Sequence, residues 1–469
     1  MAWLVETTQR HRLLKPTLFA VVVVAAGVAM VLGWTLWVLL LAVLVPLLVA
    51  VAQRPQRGVL VFVALVPFDG LRALGTLPGV IDGWKQAFIV VLLVLTFVCP
   101  AEARASEHRR VPSWVSAFVA LLALGLLSAI FVGGTTAVVG LRISYFDALI
   151  AVVIWRCPFS RKERDQLVTV LLAVGIVTSL VGVWQQIVGH ASLHELGYEY
   201  DETIRFTEGF RLRSFSTFNQ PFPFALFLMV IVLLVLPFAL SDPKRLRSKV
   251  FFLATPLFAA ALVLTYVRAA FLGLAIGLLY LAFHRYKILV YGIPLVLVAM
   301  LFIPTGTSFT RAFTHRESLT ARTTSWDQRF ELLADNPLGS GIGTTGAAAE
   351  KAAELLNEDE DLAFQPDNSY LKVAFELGVL GLWLFVVMLI TMFLYTRDVE
   401  RRTVDPDRHL AAGFSALLLA VMAASTVATY FEMVPEIQLF WVMTGVIATV
   451  APRLPDRPAV TGPTGIPVS

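Results

Sequence analysis

Arg268 is the residue whose position most strongly suggests a chemical role. It lies between two apolar runs, in LVLTYVRAAFLGL. A charged side chain inside such a stretch is costly in a membrane and marks a functional site by default. Its guanidinium group is a planar fork that binds two phosphate oxygens at once. Arg268 is therefore a candidate for binding an anionic, phosphate-bearing ligand.

Asp367 is the second candidate, in the segment PDNSYL just before a long apolar run. A carboxylate at this junction can accept a proton from a hydroxyl group. The alternative is structural, because Asp, Asn and Ser are all good helix N-caps and three of them stand in a row here. The local sequence alone favours the cap.

Two further motifs do not fit the chemistry that they suggest. Gly341, Gly343 and Gly346 match G-x-G-x-x-G, but a dinucleotide site needs a preceding strand, and the segment before this motif is predicted to be helical. A turn whose backbone N–H groups approach an anion fits better. His190 and His194 are four residues apart, but no third ligand is evident, so we predict no metal site.

The composition places these residues in a membrane protein. Of the 469 residues, 58% are hydrophobic and 15% are charged, and the mean hydropathy is +0.77. Soluble domains carry about 25% charged residues, so soluble enzymes, disordered regulators and secreted disulfide scaffolds are excluded. Two cysteines are too few for a disulfide framework or a cysteine-based metal site. The predicted fold class is an all-α, polytopic transmembrane helical bundle.

The apolar segments indicate about 12–14 spans. Segments 58–68, 143–156 and 269–283 are short, which leaves the number of complete crossings open. The candidate spans are residues 17–33, 34–52, 58–68, 85–99, 113–132, 143–156, 166–188, 222–240, 250–267, 269–283, 287–303, 370–396, 409–429 and 436–451.

The distribution of basic residues predicts the orientation. Lysine and arginine concentrate in short loops on the cytoplasmic side of membranes. With the N-terminus inside, 24 of the 37 basic residues fall in cytoplasmic loops and tails. We therefore predict a multi-pass protein of the inner or plasma membrane, with both termini in the cytoplasm. Cys99 and Cys157 then lie at cytoplasmic ends of spans, where thiols stay reduced.

Two long outer loops interrupt the spans, at residues 189–221 and 304–369. The second is a large extracytoplasmic, mostly helical loop between late spans, with helices expected at 319–334 and 346–357. The predicted units are an N-terminal membrane bundle of about eleven spans (1–303), the large loop (304–369), the C-terminal spans (370–451) and a cytoplasmic tail (452–469).

Thirteen basic residues remain for the outer face, and ten of them are arginines. Outer loops normally contain few basic residues, so this excess indicates an anionic ligand. Contact with lipid headgroups, or pairing with acidic residues of the same loops, explains any single arginine equally well. It explains Arg268 less well, because that residue lies between apolar runs.

Six short motifs follow one another over the C-terminal two thirds of the chain. They are GLR (140–142), WQQ (184–186), RSFSTFNQPFPFA (213–225), TYVRAAFLGL (265–274), NPLGSGIGTTG (336–346) and PDNSYLKVAFELGVLGL (366–382). Their order and spacing, with one large outer loop between late spans, resemble the O-antigen ligase and polymerase family of integral membrane glycosyltransferases. At three positions the sequence departs from the family's pattern. The family's His is Asp367 here, its Ser is Val267, and its Pro-Asn is Pro221-Phe222.

The resemblance implies glycan transfer on the extracytoplasmic face, in cell-surface polysaccharide assembly. A polyprenyl (undecaprenyl-type) diphosphate donor would pass its glycan to an acceptor hydroxyl, with inversion at the anomeric carbon and without a metal or cofactor. It also favours chemistry over capping for Asp367, since aspartate keeps a proton acceptor in place of the family's histidine. The expected roles are acceptor positioning or deprotonation (Asp367, Asn368), diphosphate binding (Arg142, Arg211, Arg213, Arg268) and substrate contacts from a lid (Arg322, Arg329, Gly341, Gly343).

Other activities remain open. A ligase moves a finished polymer to a glycan, lipid or protein acceptor, whereas a polymerase moves a growing chain to the next lipid-linked unit, and the sequence does not separate the two. From another class, a flippase or transporter of lipid-linked or anionic substrates fits the number of spans. Transporters show internal repeats and polar groups at the bilayer midplane, and neither is evident. A scaffold role is disfavoured by Arg268. Membrane lipids are expected partners, and nucleic acid is not.

Overall fold

The computed structural model describes residues 51–74 (without residue 52), 83–99, 111–198, 212–294, 337–356 and 364–450. The regular elements in these ranges are helices, which confirms the all-α fold class. Short 3₁₀ turns at Val66–Leu74, Phe146–Ala148, Lys287–Tyr291 and Tyr430–Glu432 connect some of them. The helices are α1 (Pro55–Leu65), α2 (Trp84–Val98), α3 (Trp114–Val132), α4 (Gly134–Tyr145), α5 (Leu149–Arg156), α6 (Arg161–Glu195), α7 (Pro221–Ser241), α8 (Leu246–Thr265), α9 (Arg268–His284), α10 (Gly346–Leu356), α11 (Ser369–Arg402), α12 (Asp407–Ala424) and α13 (Glu436–Thr449).

Seven of the described helical segments are long and apolar enough to cross a membrane: α3, α4 continued by α5, α6, α7, α8, α11 and α12. The helices α2, α9 and α13 are apolar but shorter. Predicted span 143–156 is the second part of one longer segment, because the helix begins at Gly134. Predicted span 58–68 is interrupted, because α1 ends at Leu65 and a 3₁₀ turn follows. Predicted spans 17–33, 34–52 and 287–303 lie wholly or mostly outside the described residues.

The centre of the bundle contains α7 and α12, together with α13, in which every residue is buried. In the most apolar stretch of α7, 83% of the residues are buried, and the corresponding share is 78% in α12 but 17% in α3. A helix that is apolar on every side belongs in a protein core or against lipid. The burial assigns α7 and α12 to the core and leaves most of α3 at the surface of the bundle.

Two glycines bring α9 close to α12. A Cβ atom on Gly273 would lie 2.9 Å from the carbonyl oxygen of Ala420, and one on Gly277 would lie 3.2 Å from that of Ala416. Small residues four apart allow helix backbones to approach in this way, as the G-x-x-x-G motif predicts. Because the contacts run in opposite directions along the two helices, α9 and α12 are antiparallel.

The bundle has two distinct ends. At one end, Arg164 pairs with Asp407, with 2.7 Å between Nε and Oδ1, and Arg245 pairs with Asp165, with 2.6 Å between Nη2 and Oδ2. We call this the basic end: α6, α8 and α12 begin there, and α7 and α9 end there. The opposite end, where α7, α9 and α11 begin and α8 and α12 end, we call the site end. Three of the loops predicted to be cytoplasmic therefore share the basic end, namely those between the predicted spans at residues 157–165, 241–249 and 397–408.

Backbone packs directly on backbone where the glycine-rich loop meets a kink in α11. Gly378 interrupts the helix with φ +69°. A Cβ atom there would lie 2.1 Å from the carbonyl oxygen of Pro337, and one on Gly339 (φ +83°) would lie 2.6 Å from that of Glu376. Only glycine fits both requirements, the left-handed conformation and the close approach. This contact fixes the described start of the loop against the site-end half of α11.

Candidate active site

Arg213 places a positive charge at the site end, in the segment between α6 and α7. Its Nε donates to the carbonyl oxygen of Thr265 at 3.1 Å, and its guanidinium carbon lies 4.8 Å from the ring centroid of Phe222. Burial lowers the pKa of Arg213 to about 10, so the side chain remains charged at neutral pH. These contacts hold the guanidinium in place before any ligand binds.

Arg268 lies on the tight turn that Arg213 contacts. Helices α8 and α9 are joined by only Tyr266, in the left-handed region at φ +57°, and Val267, whose N–H donates to Thr265 Oγ1 at 3.3 Å. Arg268 is the first residue of α9, three positions after the carbonyl that Arg213 binds. The structure therefore brings the two predicted diphosphate-binding residues Arg213 and Arg268 to the same turn.

One glutamine holds the segment that carries Arg213. Gln185 is fully buried in α6. Its Oε1 accepts from the N–H groups of Phe215 (3.2 Å) and Ser216 (2.7 Å), and its Nε2 donates to the carbonyl oxygen of Ser216 (2.8 Å). Buried backbone groups must be paired, and here one side chain pairs three of them. The WQQ and RSFSTFNQPFPFA motifs, noted separately in the sequence, are thus one structural unit.

Replacing Gln185 by leucine is expected to lower the thermal midpoint of the purified protein. Three buried backbone groups lose their partner, and each costs about 1–3 kcal/mol. Gln186→Leu is the matched comparison, because Gln186 is half-buried and, among the described residues, only its Nε2 is engaged, with Leu212 O and Ser214 Oγ. A midpoint for Gln185→Leu that is equal to or above that of Gln186→Leu would contradict this role.

The cap of α11 is Asn368. Its Oδ1 accepts from the N–H groups of Tyr370 (2.9 Å) and Leu371 (3.1 Å), and its Nδ2 donates to the carbonyl oxygen of Thr426 (2.9 Å). The alternative explanation of Asp367 as the cap therefore does not hold. Asp367 is exposed, directly before the cap, in the left-handed region at φ +48°. The acceptor-orienting role of Asn368 stays a prediction, with its side chain already engaged by its neighbours.

The register of the bundle brings Asp367 to the arginines' end. Gly273 of α9 faces Ala420 of α12. Because the two helices are antiparallel, Arg268, five residues before Gly273, lies level with Ser425, five residues after Ala420. The carbonyl oxygen of Ser425 accepts from the N–H of Ser369 at 2.9 Å. Ser369 lies two residues after Asp367. Arg213, Arg268 and Asp367 thus lie at one end of the molecule, on three elements that are far apart in sequence.

The glycine-rich loop binds a carboxylate of the protein itself. The N–H groups of Gly343 and Thr345 both donate to Glu376 Oε1 at 3.2 Å, and the N–H of Gly341 donates to the Glu376 carbonyl oxygen at 2.9 Å. Left-handed backbone at Gly341 (φ +106°) and Gly343 (φ +83°) permits this arrangement. The sequence predicted a turn of this kind around an anion, and the anion in the structure is Glu376.

A buried ion network surrounds Glu376. Lys372 Nζ lies 2.7 Å from Glu376 Oε2 and 3.3 Å from Glu432 Oε1, while Glu432 Oε2 accepts from the N–H of Ala347 at 3.3 Å. A cavity of about 60 Å³ with largely aromatic and aliphatic walls adjoins these groups. Sequence reasoning missed this network. The i, i+4 spacing of Lys372 and Glu376 is its only local signal, because Glu432 comes from a distant turn.

The remaining predicted site residues lie on other elements or outside the described residues. Arg142 is exposed on α4, two residues after Gly140, whose added Cβ would lie 2.7 Å from the Gly343 nitrogen. Gly341 and Gly343 are buried against neighbouring elements, and their predicted lid contacts stay predictions. Within the described ranges, no group of three or more His, Cys, Asp or Glu side chains is arranged to hold a metal ion. Outside the described residues lie Arg211, Arg322 and Arg329.

These features define an integral membrane helical bundle with two arginines and an exposed carboxylate gathered at one end. Residues 250–386 match the family model described as O-antigen ligase. The match confirms the resemblance inferred from the motifs and supports a membrane function of the O-antigen ligase or polymerase type. It covers under a third of the chain and contains Arg268, the glycine-rich loop and Asp367. A comparison with curated proteins found no match.

Proposed function

We propose that the protein transfers a glycan from a polyprenyl diphosphate donor to an acceptor hydroxyl at the site end, facing the extracytoplasmic side. The observation that carries this proposal is the convergence of Arg213, Arg268 and Asp367 at one end of the bundle. Two cations suit a diphosphate, and a solvent-accessible carboxylate suits a hydroxyl nucleophile. The family match over residues 250–386 supports the same class of substrate.

The proposed reaction is a single displacement. The acceptor oxygen attacks the anomeric carbon, the bond from that carbon to the diphosphate oxygen breaks, and the polyprenyl diphosphate leaves. Negative charge grows on the leaving group, and preorganised cations stabilise such charge strongly in a water-poor site. Arg213 and Arg268 have this role, which is why no metal is required. Because attack and departure occur on opposite sides of the carbon, the configuration inverts.

Asp367 takes the proton of the attacking hydroxyl in this mechanism. Asn368 is a positioning residue: its three hydrogen bonds tie the backbone next to Asp367 to α11 and to Thr426. Further contacts to the donor are proposed for Arg142 and Arg211, and for Arg322, Arg329, Gly341 and Gly343 as parts of a lid. The basic end faces the cytoplasm in this arrangement, together with both termini.

Asp367→Asn is expected to reduce transfer by about 100-fold or more, because a neutral amide of the same size cannot accept the hydroxyl proton. The assay uses the full-length protein in detergent with lipid-linked glycan and follows the release of polyprenyl diphosphate. Asp367→Glu retains the carboxylate and should keep measurable activity. Unchanged turnover by Asp367→Asn, at an unchanged thermal midpoint, would remove Asp367 from the mechanism.

The lipid-linked glycans of cells with and without the gene distinguish the activities left open. Single repeat units that accumulate on the carrier indicate a polymerase. Long chains that accumulate on the carrier, with none on the final acceptor, indicate a ligase. Intermediates trapped on the cytoplasmic side, with an unchanged outer pool, would overturn the transferase and favour a flippase.

A further inference from the structure

A cleft of about 600 Å³ opens at the basic end of the bundle, away from the proposed active site. Its walls are the ends of α7 and α9, the start of α8 and the link between α11 and α12. The charged and titratable side chains that line it are Arg245, Arg247, Arg285, Asp242, Asp405 and His409. The proposed glycan transfer uses none of these residues.

The two arginines from the start of α8 share one carboxylate. Arg245 Nη2 lies 2.6 Å from Asp165 Oδ2, and Arg247 Nη1 lies 2.9 Å from Asp165 Oδ1. The Arg245 side chain is 47% exposed, whereas that of Arg247 is 7% exposed. Each guanidinium carries five N–H donors, and the Asp165 and Thr169 acceptors of Arg247 engage only its Nη1 group among the described residues. The Nε of Arg247 is buried without a hydrogen-bond partner among the described residues.

On the opposite wall of the cleft, one carboxylate is again shared by two basic side chains. Asp405 Oδ1 lies 3.3 Å from Arg285 Nη2 and 3.2 Å from His409 Nε2. Nη1 of Arg285 is buried and has no hydrogen-bond partner in the described part of the chain. A buried, unsatisfied donor costs about 1–3 kcal/mol, more when it is charged. Each side of the cleft thus has an arginine with a buried N–H group that lacks an acceptor among the described residues.

We propose that this cleft binds a phosphate group. Phosphate oxygens are pure acceptors and match the fork of arginine, so they suit the three arginines that line the cleft, two of which carry N–H groups without an acceptor among the described residues. The three arginines are balanced by Asp165, Asp242 and Asp405, which favours a singly charged phosphodiester over a more highly charged anion. The cleft lies at the ends of spanning helices, and arginine pockets at this level bind the headgroups of anionic lipids. A free phosphate compound offers the same chemistry.

The test measures the thermal midpoint of the full-length protein, purified without phosphate, against three additions. These are phosphatidylglycerol in mixed micelles, diacylglycerol in the same micelles, and inorganic phosphate at matched ionic strength. A rise with phosphatidylglycerol alone supports the site with a lipid headgroup as its source. A rise with inorganic phosphate supports it with a soluble source. No rise with either, or an equal rise with diacylglycerol, overturns the proposal.

Variants of the arginines test whether the rise in thermal midpoint depends on the cleft. Arg285→Met and Arg245→Gln should each raise the concentration for half-maximal stabilisation about tenfold, since one charge-assisted hydrogen bond is worth roughly that factor. Because Arg245 is half-exposed, its variant remains informative if Arg285→Met does not fold. Arg402→Gln is the matched control: its side chain is 63% exposed, pairs with Asp398 and is not in the cleft. Equal responses of all three variants and the unmodified protein would overturn the proposal.

Discussion

Arg268→Ala is expected to reduce glycan transfer by about 100-fold or more, with the protein still present in the membrane at its normal abundance. Arg268 begins α9 at the site end and is only partly buried. In the proposed mechanism its loss removes a cation from the leaving diphosphate, while the packing of α9 on α12 through Gly273 and Gly277 is untouched. Transfer is measured in membranes, and abundance by quantitative immunoblotting of the same samples.

Two comparisons sharpen this expectation. Arg268→Lys keeps the charge but loses the bidentate fork, so its activity should fall between those of the alanine variant and the unmodified protein. Arg402→Ala removes an exposed arginine at the other end and should transfer normally, because exposed ion pairs contribute little. Normal transfer by Arg268→Ala would rule out the diphosphate role. A fall in abundance that matches the fall in transfer would assign Arg268 to structure instead.

Lys372→Met is expected to give the largest loss of stability. Lys372 is 5% exposed and lies between Glu376 and Glu432, whose side chains are 3% and 5% exposed. Removing one partner from a buried ion network costs about 3–5 kcal/mol, because the remaining carboxylates stay buried without the opposite charge of Lys372. We expect a strongly lowered thermal midpoint in detergent and reduced accumulation in the membrane.

Lys351→Met is the matched control for Lys372→Met. Lys351 also pairs with a glutamate, Glu354, but its side chain is 37% exposed. The control should therefore leave the midpoint nearly unchanged. Adding Glu432→Gln to Lys372→Met removes one of the two uncompensated carboxylates and should recover part of the loss. A midpoint for Lys372→Met close to that of Lys351→Met would show that the network is not a stabilising element.

The helices could be predicted from the sequence because long apolar runs leave few alternatives in a membrane. The predicted span 222–240 corresponds to α7 within one residue at each end. The predicted span 143–156 was too short, because Gly140 and Arg142 interrupt the apolar pattern inside a segment that is helical from Gly134. Apolar patterning therefore located the helix but misplaced its start, because the helix there contains residues that are not apolar.

The site was only partly predictable for a different reason. Arg268 could be recognised as a candidate site residue, because a charged residue inside an apolar run stands out without any knowledge of which residues it contacts. The hydrogen bonds of Gln185 to a segment 30 residues away, and the pairing of Lys372 with Glu432, depend on the packing of separate helices. Three adjacent residues before α11 are all good N-caps, so the sequence could not identify the cap. In the structure the cap is Asn368.

The contact between Gly339 and Gly378 has an evolutionary consequence. Any side chain at Gly378 would collide with the Pro337 carbonyl oxygen, and any side chain at Gly339 with that of Glu376. Purifying selection should therefore hold both positions at glycine in every descendant that keeps this loop, whatever substrate it uses. Glycine at these two positions is thus a steric demand of the scaffold, and substrate preference can diverge at exposed positions without disturbing it.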